Sequence, residues 1–423
     1  MSKRYVRKKK KVRFKPRFFV IVAVTLLLIF LLIFKLAGSS PGTPETSDSE
    51  KKKAAPVAEG KKVELNVTFA GDLVIHQPVF DAMYTGNGYD FTPCFKYVKK
   101  YIEPSDAAIC TFEGSLVSSD FTGYPMFRTP KKLANDIRSV GFDLMTVTSN
   151  HAVDGGVAGF DSTLKATKGA GLIPSGGQFK DDDPDYAMIK TKDGVKVAFI
   201  SYSYNDGTPE NPALNGNPLP PEMVKRCNTF SMADKEGAVA DAARIEKEAR
   251  KAGADMVMIS LHWGEEYQLH SNEDQQKLAQ MLTDGTTCDV IVGSHPHVVQ
   301  EYRTLKSKDG KREVPCYFAI GNLLTNQRRE LMGGDIHPEE GVIVTFNIKY
   351  DTGKKKIESI SQKRIPYWVN LYYGERTYYY IVPLVGDYQN NESLVASGNA
   401  GLAKEAKGEI ERILNQDEKL GGE

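Results

Sequence analysis

The sequence predicts a layered α/β domain carried on a single transmembrane helix. From Val63 onward, short apolar, β-rich runs alternate with amphipathic helical stretches. Phe18 to Phe34 is an unbroken apolar stretch behind a basic arm. Histidines and carboxylates recur where the apolar runs end, the place where open α/β sheets gather their ligands.

The basic arm holds ten basic residues, Lys3, Arg4, Arg7, Lys8, Lys9, Lys10, Lys11, Arg13, Lys15 and Arg17, with no acidic one among residues 1–17. The 17 residues that follow carry neither charge nor proline, and at roughly 1.5 Å per residue they nearly span a bilayer core of about 30 Å. Lys35 is placed to snorkel, so residues 18–36 read as an uncleaved signal-anchor. The positive-inside rule then puts the arm in the cytoplasm and the rest outside the cell, a single-pass protein of the cell membrane. A cleaved signal peptide is the alternative, with Ala37-Gly38-Ser39-Ser40 as a weak cleavage site.

Residues 37–62 are rich in Ser, Pro, Thr, Glu, Lys and Ala and bury too little apolar surface to fold, so they are expected to form a flexible tether. The formal charge of +1 conceals a division: without the ten residues of the arm, 45 basic side chains face 54 acidic ones, a balance of −9. A mildly acidic exported part argues against nucleic acid as a partner. Membrane lipid is the simpler target for the arm. The five cysteines show neither CxxC spacing nor the density of a disulfide scaffold, and Cys110, Cys288 and Cys316 fall in or beside buried strands.

Val67 to Ala70 is a first strand running into Gly71-Asp72, and Ala107 to Phe112 delivers Glu113 in the same way. Val257 to Leu261 and Asp289 to Val292 read as buried parallel strands leading to His262 and to Gly293-Ser294-His295-Pro296-His297. In an extended segment residues i and i+2 point the same way, so His295 and His297 are expected to face one cavity. Carboxylates beside imidazoles form a mixed O/N donor set, suited to Mn, Fe or Zn rather than to Ca or Mg. His76, four residues after Asp72, is open between a ligand, a substrate contact and a loop residue. Glu265, Glu266 and Arg128 are candidates for holding an anionic substrate, with solvated surface charge as the plainer alternative. Asn322 follows the run Cys316 to Gly321 and is expected to line the same cleft.

The helical stretches Ala240 to Ala252, Asp274 to Asp284 and Leu402 to Leu414 supply outer layers. Asp206 to Pro221, crowded with Gly, Asn and Pro, is expected to be a surface loop contributing to a substrate lid. Residues 351–385 alternate polar and aromatic residues and are expected to complete the sheet at an edge. The chain contains no serine-centred nucleophile elbow and no phosphate-binding Gly-Lys-Ser/Thr loop, which argues against ATP-driven ligation.

In order along the chain, Gly71-Asp72, Glu113-Gly114-Ser115-Leu116, Ser149-Asn150-His151-Ala152-Val153-Asp154-Gly155-Gly156, His262-Trp263-Gly264-Glu265-Glu266-Tyr267, Gly293-Ser294-His295-Pro296-His297 and Ile320-Gly321-Asn322 closely resemble the CapA family. That family is associated with bacterial capsule synthesis, notably of poly-γ-glutamate, and the resemblance covers about residues 63–385. CapA proteins are in turn similar to calcineurin-like metallophosphoesterases. The resemblance therefore implies a metallophosphatase-like sandwich with a central mixed sheet over residues 63–350, completed by strands and a helix in 351–423. Carried over residue by residue, it implies Asp72, Glu113, Asn150, His262, His295 and His297 as ligands of one or two divalent ions. It implies His151 as general acid or transition-state hydrogen-bond donor, with Asp154 either orienting that imidazole or forming the turn before Gly155-Gly156.

There are two departures from the phosphoesterase pattern. Asp-x-His is replaced by Asp72-Leu73-Val74, which removes one imidazole, and the bridging position is Glu113 instead of Asp. Two functions follow as expectations. One is a membrane-anchored, extracytoplasmic phosphoesterase-like hydrolase acting on an anionic polymer or phosphoester of capsule synthesis. The other is a non-catalytic metal-binding subunit of a membrane polymer synthase. A weaker third is a hydrolase of cell-wall or nucleotide phosphoesters unrelated to capsule.

Overall fold

A computed structural model describes residues 60–416, apart from 181, 182, 209 and 335. The basic arm, the expected anchor and nearly all of the tether lie outside the described residues. Among those described, no helix is long and apolar enough to cross a membrane.

The chain begins with β1 (Lys62–Val74), α1 (Gln77–Ala82), α2 (Lys99–Ile102) and β2 (Ala107–Glu113). A small parallel pair, β3 (Ser115–Val117) and β4 (Arg128–Pro130), precedes α3 (Lys132–Val140), β5 (Leu144–Thr146), α4 (Gly156–Gly169) and β6 (Ile173–Ser175). Next come β7 (Ala187–Lys190), β8 (Lys196–Asn205), a hairpin of β9 (Ala213–Leu214) and β10 (Asn217–Pro218), β11 (Thr229–Ser231), α5 (Lys235–Lys251) and β12 (Met256–His262). Then follow α6 (Glu273–Gly285), β13 (Val290–Ser294), β14 (Tyr302–Lys306), β15 (Glu313–Tyr317) and β16 (Asn322–Leu324). The last elements are β17 (Glu340–Asp351), β18 (Lys356–Tyr373), β19 (Thr377–Pro383), α7 (Glu392–Ser397) and α8 (Ala400–Leu414).

These strands form two large mixed sheets where the sequence reading expected one central sheet. The first runs β19-β18-β17-β1-β2-β5-β6 with β16 beside β1, and the second runs β11-β8-β12-β13-β15-β14 with β7 beside β8. Side chains alternate across each strand. Val63, Leu65, Val67 and Phe69 of β1 meet Val197 and Phe199 of β8 and Met256 and Met258 of β12 in a core between the sheets. On the far side of the second sheet, Val257, Ile259 and Leu261 pack under Ile245 of α5 and Leu278 and Leu282 of α6. On the far side of the first, Ala108, Cys110 and Phe112 pack with Leu133 and Ile137 of α3 and Phe160 and Leu164 of α4. Strands buried on both faces read as near-continuous apolar runs, and such runs do not state how many sheets share them.

Of residues 351–385, expected at a sheet edge, the structure puts β19 at the end of the first sheet and β18 inside it, between β19 and β17. Ala403, Ala406, Ile410, Ile413 and Leu414 of α8 join the core between the sheets. The 206–221 segment, expected as a surface loop, holds the β9–β10 hairpin, and Leu214 and Leu219 anchor it in the first sheet's outer core. All five cysteines are buried and unpaired.

An ion-pair network fastens α8 to the segment before β17. His337 pairs with Glu409 of α8 and lies 3.1 Å from Glu340, while Arg329 reaches Glu339, Glu340 and Glu405. The hydrogen bond to Glu340 raises the His337 pKa, and burial pushes the Glu340 carboxyl up to about 7. Both groups bind protons more tightly folded than unfolded, so the stability they contribute is present at low pH. It is lost as pH rises through their folded values. The difference in thermal midpoint between wild type and His337→Gln is therefore expected to be larger at pH 6 than at pH 8.5; an equal difference at both would refute this account. The sheets themselves are held by an aromatic cluster in which the Phe69 ring lies 6.2 Å from Phe199 and 6.0 Å from Phe346. Phe69→Ala is expected to cost about 3 to 5 kcal/mol in chemical denaturation.

Candidate metal centre

Both sheets deliver the carboxyl ends of their parallel strands to one place. In the first sheet β1 and β2 run parallel, bringing Asp72 and Glu113 to neighbouring strand ends. The register slips between Ala70 and Asp72, so Gly71 is a bulge residue, and Asp72 then pairs with Asn322 of β16. Asp72 N–H donates to the Gly321 carbonyl at 3.1 Å. A Cβ on Gly71 would lie 1.9 Å from that same carbonyl oxygen, which requires glycine here. In the second sheet His262 ends β12 in register with Ser294, the last residue of β13.

The two sheets meet through Asp72, whose Oδ2 accepts the His295 N–H at 3.0 Å. Asn150, in the loop after β5, places its Oδ1 2.9 Å from His262 Nε2. Glu113 Oε1 lies 3.5 Å from that same nitrogen and 3.8 Å from His297 Nδ1. Asp72 Oδ1, both Glu113 oxygens and His295 Nδ1 are buried with no hydrogen-bond partner among the described residues. Buried oxygens and nitrogens facing one another without donors form a donor set that fits a divalent cation. One ligand atom from each of Asp72, Glu113 and His262 lies within 4.8 Å of the others, and so do those of Glu266, His295 and His297.

The electrostatics follow from burial. Burial, then the neighbouring Asp72 charge, holds the Glu113 carboxyl well above its ordinary range, and burial raises Asp72 against the pull of the His295 amide. Burial, reinforced by the other rings, keeps His262 and His295 well below the usual histidine value. Burial brings His297 down to about 3 against the opposing Asn322 hydrogen bond. Neutral rings offer lone pairs, and the surroundings select which nitrogen offers one. His262 Nδ1 sits 2.9 Å from Ser294 Oγ; with the proton there, Nε2 faces Asn150 and Glu113 with its lone pair, available to a metal ion. Asn322 Nδ2 is spent on the carbonyls of His297 and Pro338 and on Gln327, so its Oδ1 faces His297 Nδ1 at 3.0 Å, leaving Nε2 free.

His151 lies beside this group. Its Nδ1 is 2.8 Å from Asp154 Oδ2, which also accepts the Phe127 N–H, so Asp154 fixes the imidazole as well as the turn. The ring stands edge-on to Phe127 with centroids 4.7 Å apart.

Other candidates fall elsewhere. His76 turns its Nδ1 onto the Val74 carbonyl at 3.1 Å and packs edge-on to Phe127 with ring centroids 5.0 Å apart, outside both groups of three; burial lowers it to about 4. Arg128 sits half-buried on β4, 3.9 Å from exposed Asp120. Glu265 is exposed, and Asn322 is fully buried behind His297. Asn322 also opens β16, since β15 stops at Tyr317. His295 and His297 converge, with ring centroids 5.9 Å apart, but not through an extended strand: their φ angles are +94° and +60°. Two left-handed residues around Pro296 turn both rings inward, a backbone that alternation does not describe.

Sequence reasoning did not assign Ser294 or Tyr267 a role, although both stand inside the quoted motifs. Tyr267 lies 5.8 Å from the His297 ring. Tyr204, 4.8 Å from the His295 ring, lies near the carboxyl end of β8. It was within reach of the same strand-end rule. Gln327 carried no local signal.

The profile of the family described as bacterial capsule synthesis protein PGA_cap matches residues 66–327. A capsule biosynthesis protein CapA of Bacillus anthracis is 26% identical over 287 residues, covering 64% of this chain, and the chain spans 62% of that relative's length. A PGA biosynthesis protein CapA of Bacillus subtilis (strain 168) is 22% identical over 364 residues, 84% of this chain and 82% of the relative. Among solved structures, a calcineurin-like phosphoesterase from Bacillus subtilis superposes with a TM-score of 0.40 at 14% identity, covering 72% of this chain and 91% of that one. A phosphatase from Mycoplasma pneumoniae gives 0.39 at 11% identity, covering 72% and 95%. The family match takes in Asp72, Glu113, Asn150, His262, His295 and His297 together, and the chain belongs to the bacterial capsule synthesis protein PGA_cap family.

Proposed function

We propose that this protein is a metal-dependent hydrolase of the phosphoesterase type, anchored in the cell membrane with its main domain outside. It acts on an intermediate or product of capsular polymer synthesis, with poly-γ-glutamate as the polymer that the family resemblance suggests. The observation that carries this reading is the meeting of Asp72, Glu113, Asn150, His262, His295 and His297 around buried donor atoms that lack hydrogen-bond partners among the described residues. The anchor and its orientation rest on residues 1–36 of the sequence.

A divalent cation held by this donor set would supply Lewis acidity and activate water near neutral pH. The chain's own residues do the rest. Asp72, Glu113 and His262 are almost completely buried, which removes competing water from the donor atoms. Asp154 holds His151 through Nδ1, so Nε2 is the nitrogen that gives a proton to a departing oxygen or hydrogen-bonds developing charge. Phe127 packs against the His151 ring, and its N–H holds Asp154, so the pair is fixed before a substrate arrives.

The second reading, a non-catalytic metal-binding subunit of a membrane polymer synthase, is favoured by one observation. The imidazole missing after Asp72 is not restored by His76, which faces Phe127 and its own backbone.

The full chain in detergent, loaded with Mn²⁺, is expected to hydrolyse an aryl phosphodiester. His151→Ala should lower kcat by roughly 10²- to 10⁴-fold with bound metal unchanged, and Asp154→Asn by roughly 10- to 100-fold. His295→Ala should lose metal as well as turnover. Bound metal in a wild-type protein that turns over no phosphoester would decide for the accessory role.

A further inference from the structure

An open groove of about 980 Å³ is walled by α1, the 326–331 segment, the tip of the β18–β19 hairpin and the turn between α7 and α8. None of the candidate metal ligands lines it. Tyr84, Tyr372, Tyr373 and Tyr379 do, and two of them stand in solvent: Tyr84 is 52% exposed and Tyr373 74%. Large rings exposed on a concave wall beside polar groups mark a ligand groove.

The walls are set before anything binds. Tyr84 donates its hydroxyl to the Gly86 carbonyl at 2.9 Å and lies 5.4 Å from the Tyr89 ring, while Tyr372 stacks on Tyr378 with centroids 5.6 Å apart. Tyr379 donates to Asn326 Oδ1 at 2.6 Å. On the opposite side, buried Asn370 Oδ1 accepts from Asn399 Nδ2 at 2.9 Å and from Ser397 Oγ at 3.3 Å. Rings and hydrogen-bonding groups already held in place lower the entropy cost of binding.

Charge decides what fits. Two guanidinium groups, Arg328 and Arg376, share the lining with two carboxylates, Asp81 and Glu330. Arg328 is already engaged: Nη1 donates to the Val369 carbonyl at 2.9 Å and Nε lies 3.5 Å from Glu330. A polyanion would meet both carboxylates, whereas an uncharged polyhydroxyl chain finds donors and acceptors beside flat rings. We propose that this groove binds a neutral saccharide chain. The faces of Tyr84 and Tyr373 cover the C–H faces of sugar rings, and Asp81, Asn326 and Arg376 hydrogen-bond their hydroxyls. The groove shares a stretch of chain with the metal centre. Gln327, between Asn326 and Arg328, donates to the Tyr267 hydroxyl at 3.0 Å and accepts from Asn322, the residue behind His297. Saccharide binding itself requires no metal.

The test uses the full chain in a detergent without sugar head groups, with chitohexaose, cellohexaose and maltohexaose as probes and poly-L-glutamate as the charged comparison. Binding is read by saturation-transfer NMR on the probe protons and by calorimetry. At least one hexaose is expected to bind, with transfer strongest at its ring C–H protons and with the same affinity after chelation or in His295→Ala. Tyr84→Ala and Tyr373→Ala should each weaken it roughly three- to tenfold. Their melting temperatures should match wild type, since both rings stand in solvent. Tyr124→Ala, which removes a 78% exposed tyrosine outside the groove, should bind as wild type. No binding of any hexaose, or binding unaffected by both groove substitutions, would overturn the assignment. Binding of poly-L-glutamate in place of the saccharides would overturn it too and give the groove to a polyanion.

Discussion

Asp72 and Glu113 are buried together where the two sheets meet, and the surrounding structure answers to the cost of placing two carboxyl groups out of water. Uncompensated, such groups keep their protons, and burial raises both. The nearest rings offer no positive charge, because burial also drives His262, His295 and His297 toward the neutral form. A cation satisfies both trends at once, since it takes charged carboxylates and neutral imidazoles together. The same low-dielectric setting that makes unpaired carboxylates costly would strengthen their hold on a divalent cation.

That arrangement depends on the relation of the sheets more than on either alone. Asp72, Glu113 and Asn150 come from the first sheet or the loop after it, while His262, His295 and His297 come from the second and its loops. The aromatic packing of Phe69 against Phe199 and Phe346 lies three residues from Asp72 and holds the layers in register. The Gly71 bulge and the close approach of Gly321 then aim the Asp72 carboxylate across the gap to the His295 amide. Supporting polar groups complete the placement: Ser294 behind His262, Asn322 behind His297, and Asp154 behind His151. Each contacts the nitrogen that the proposed chemistry does not use, which fixes both the tautomer and the direction of the ring.

Much of this was legible in the chain. Strands at 67–70, 107–112, 257–261 and 289–292 and the three helices read from amphipathic periodicity all occur, because apolar periodicity is local and burial on both faces leaves a continuous signature. The motif residues at strand ends were legible for the same reason: a parallel strand states in its own sequence where it stops. Asn322 and Glu266 were read only as general polar candidates. What separates a residue held behind a histidine from one facing the cleft is register and loop direction, and no residue type encodes either.

The sequence by itself determined the alternation of strand and helix, the candidate residues gathered at strand ends and the family to which the chain belongs. These are properties of neighbouring residues and of their order. Only the tertiary structure decided that the strands divide into two facing sheets and that His295 and His297 converge through left-handed backbone. It also decided that His76 turns away while Glu266 turns in. Those outcomes depend on packing and hydrogen bonds between segments far apart in the chain, such as the Tyr267 amide on the Pro296 carbonyl and the His295 amide on Asp72, and such bonds exist only once the layers have closed.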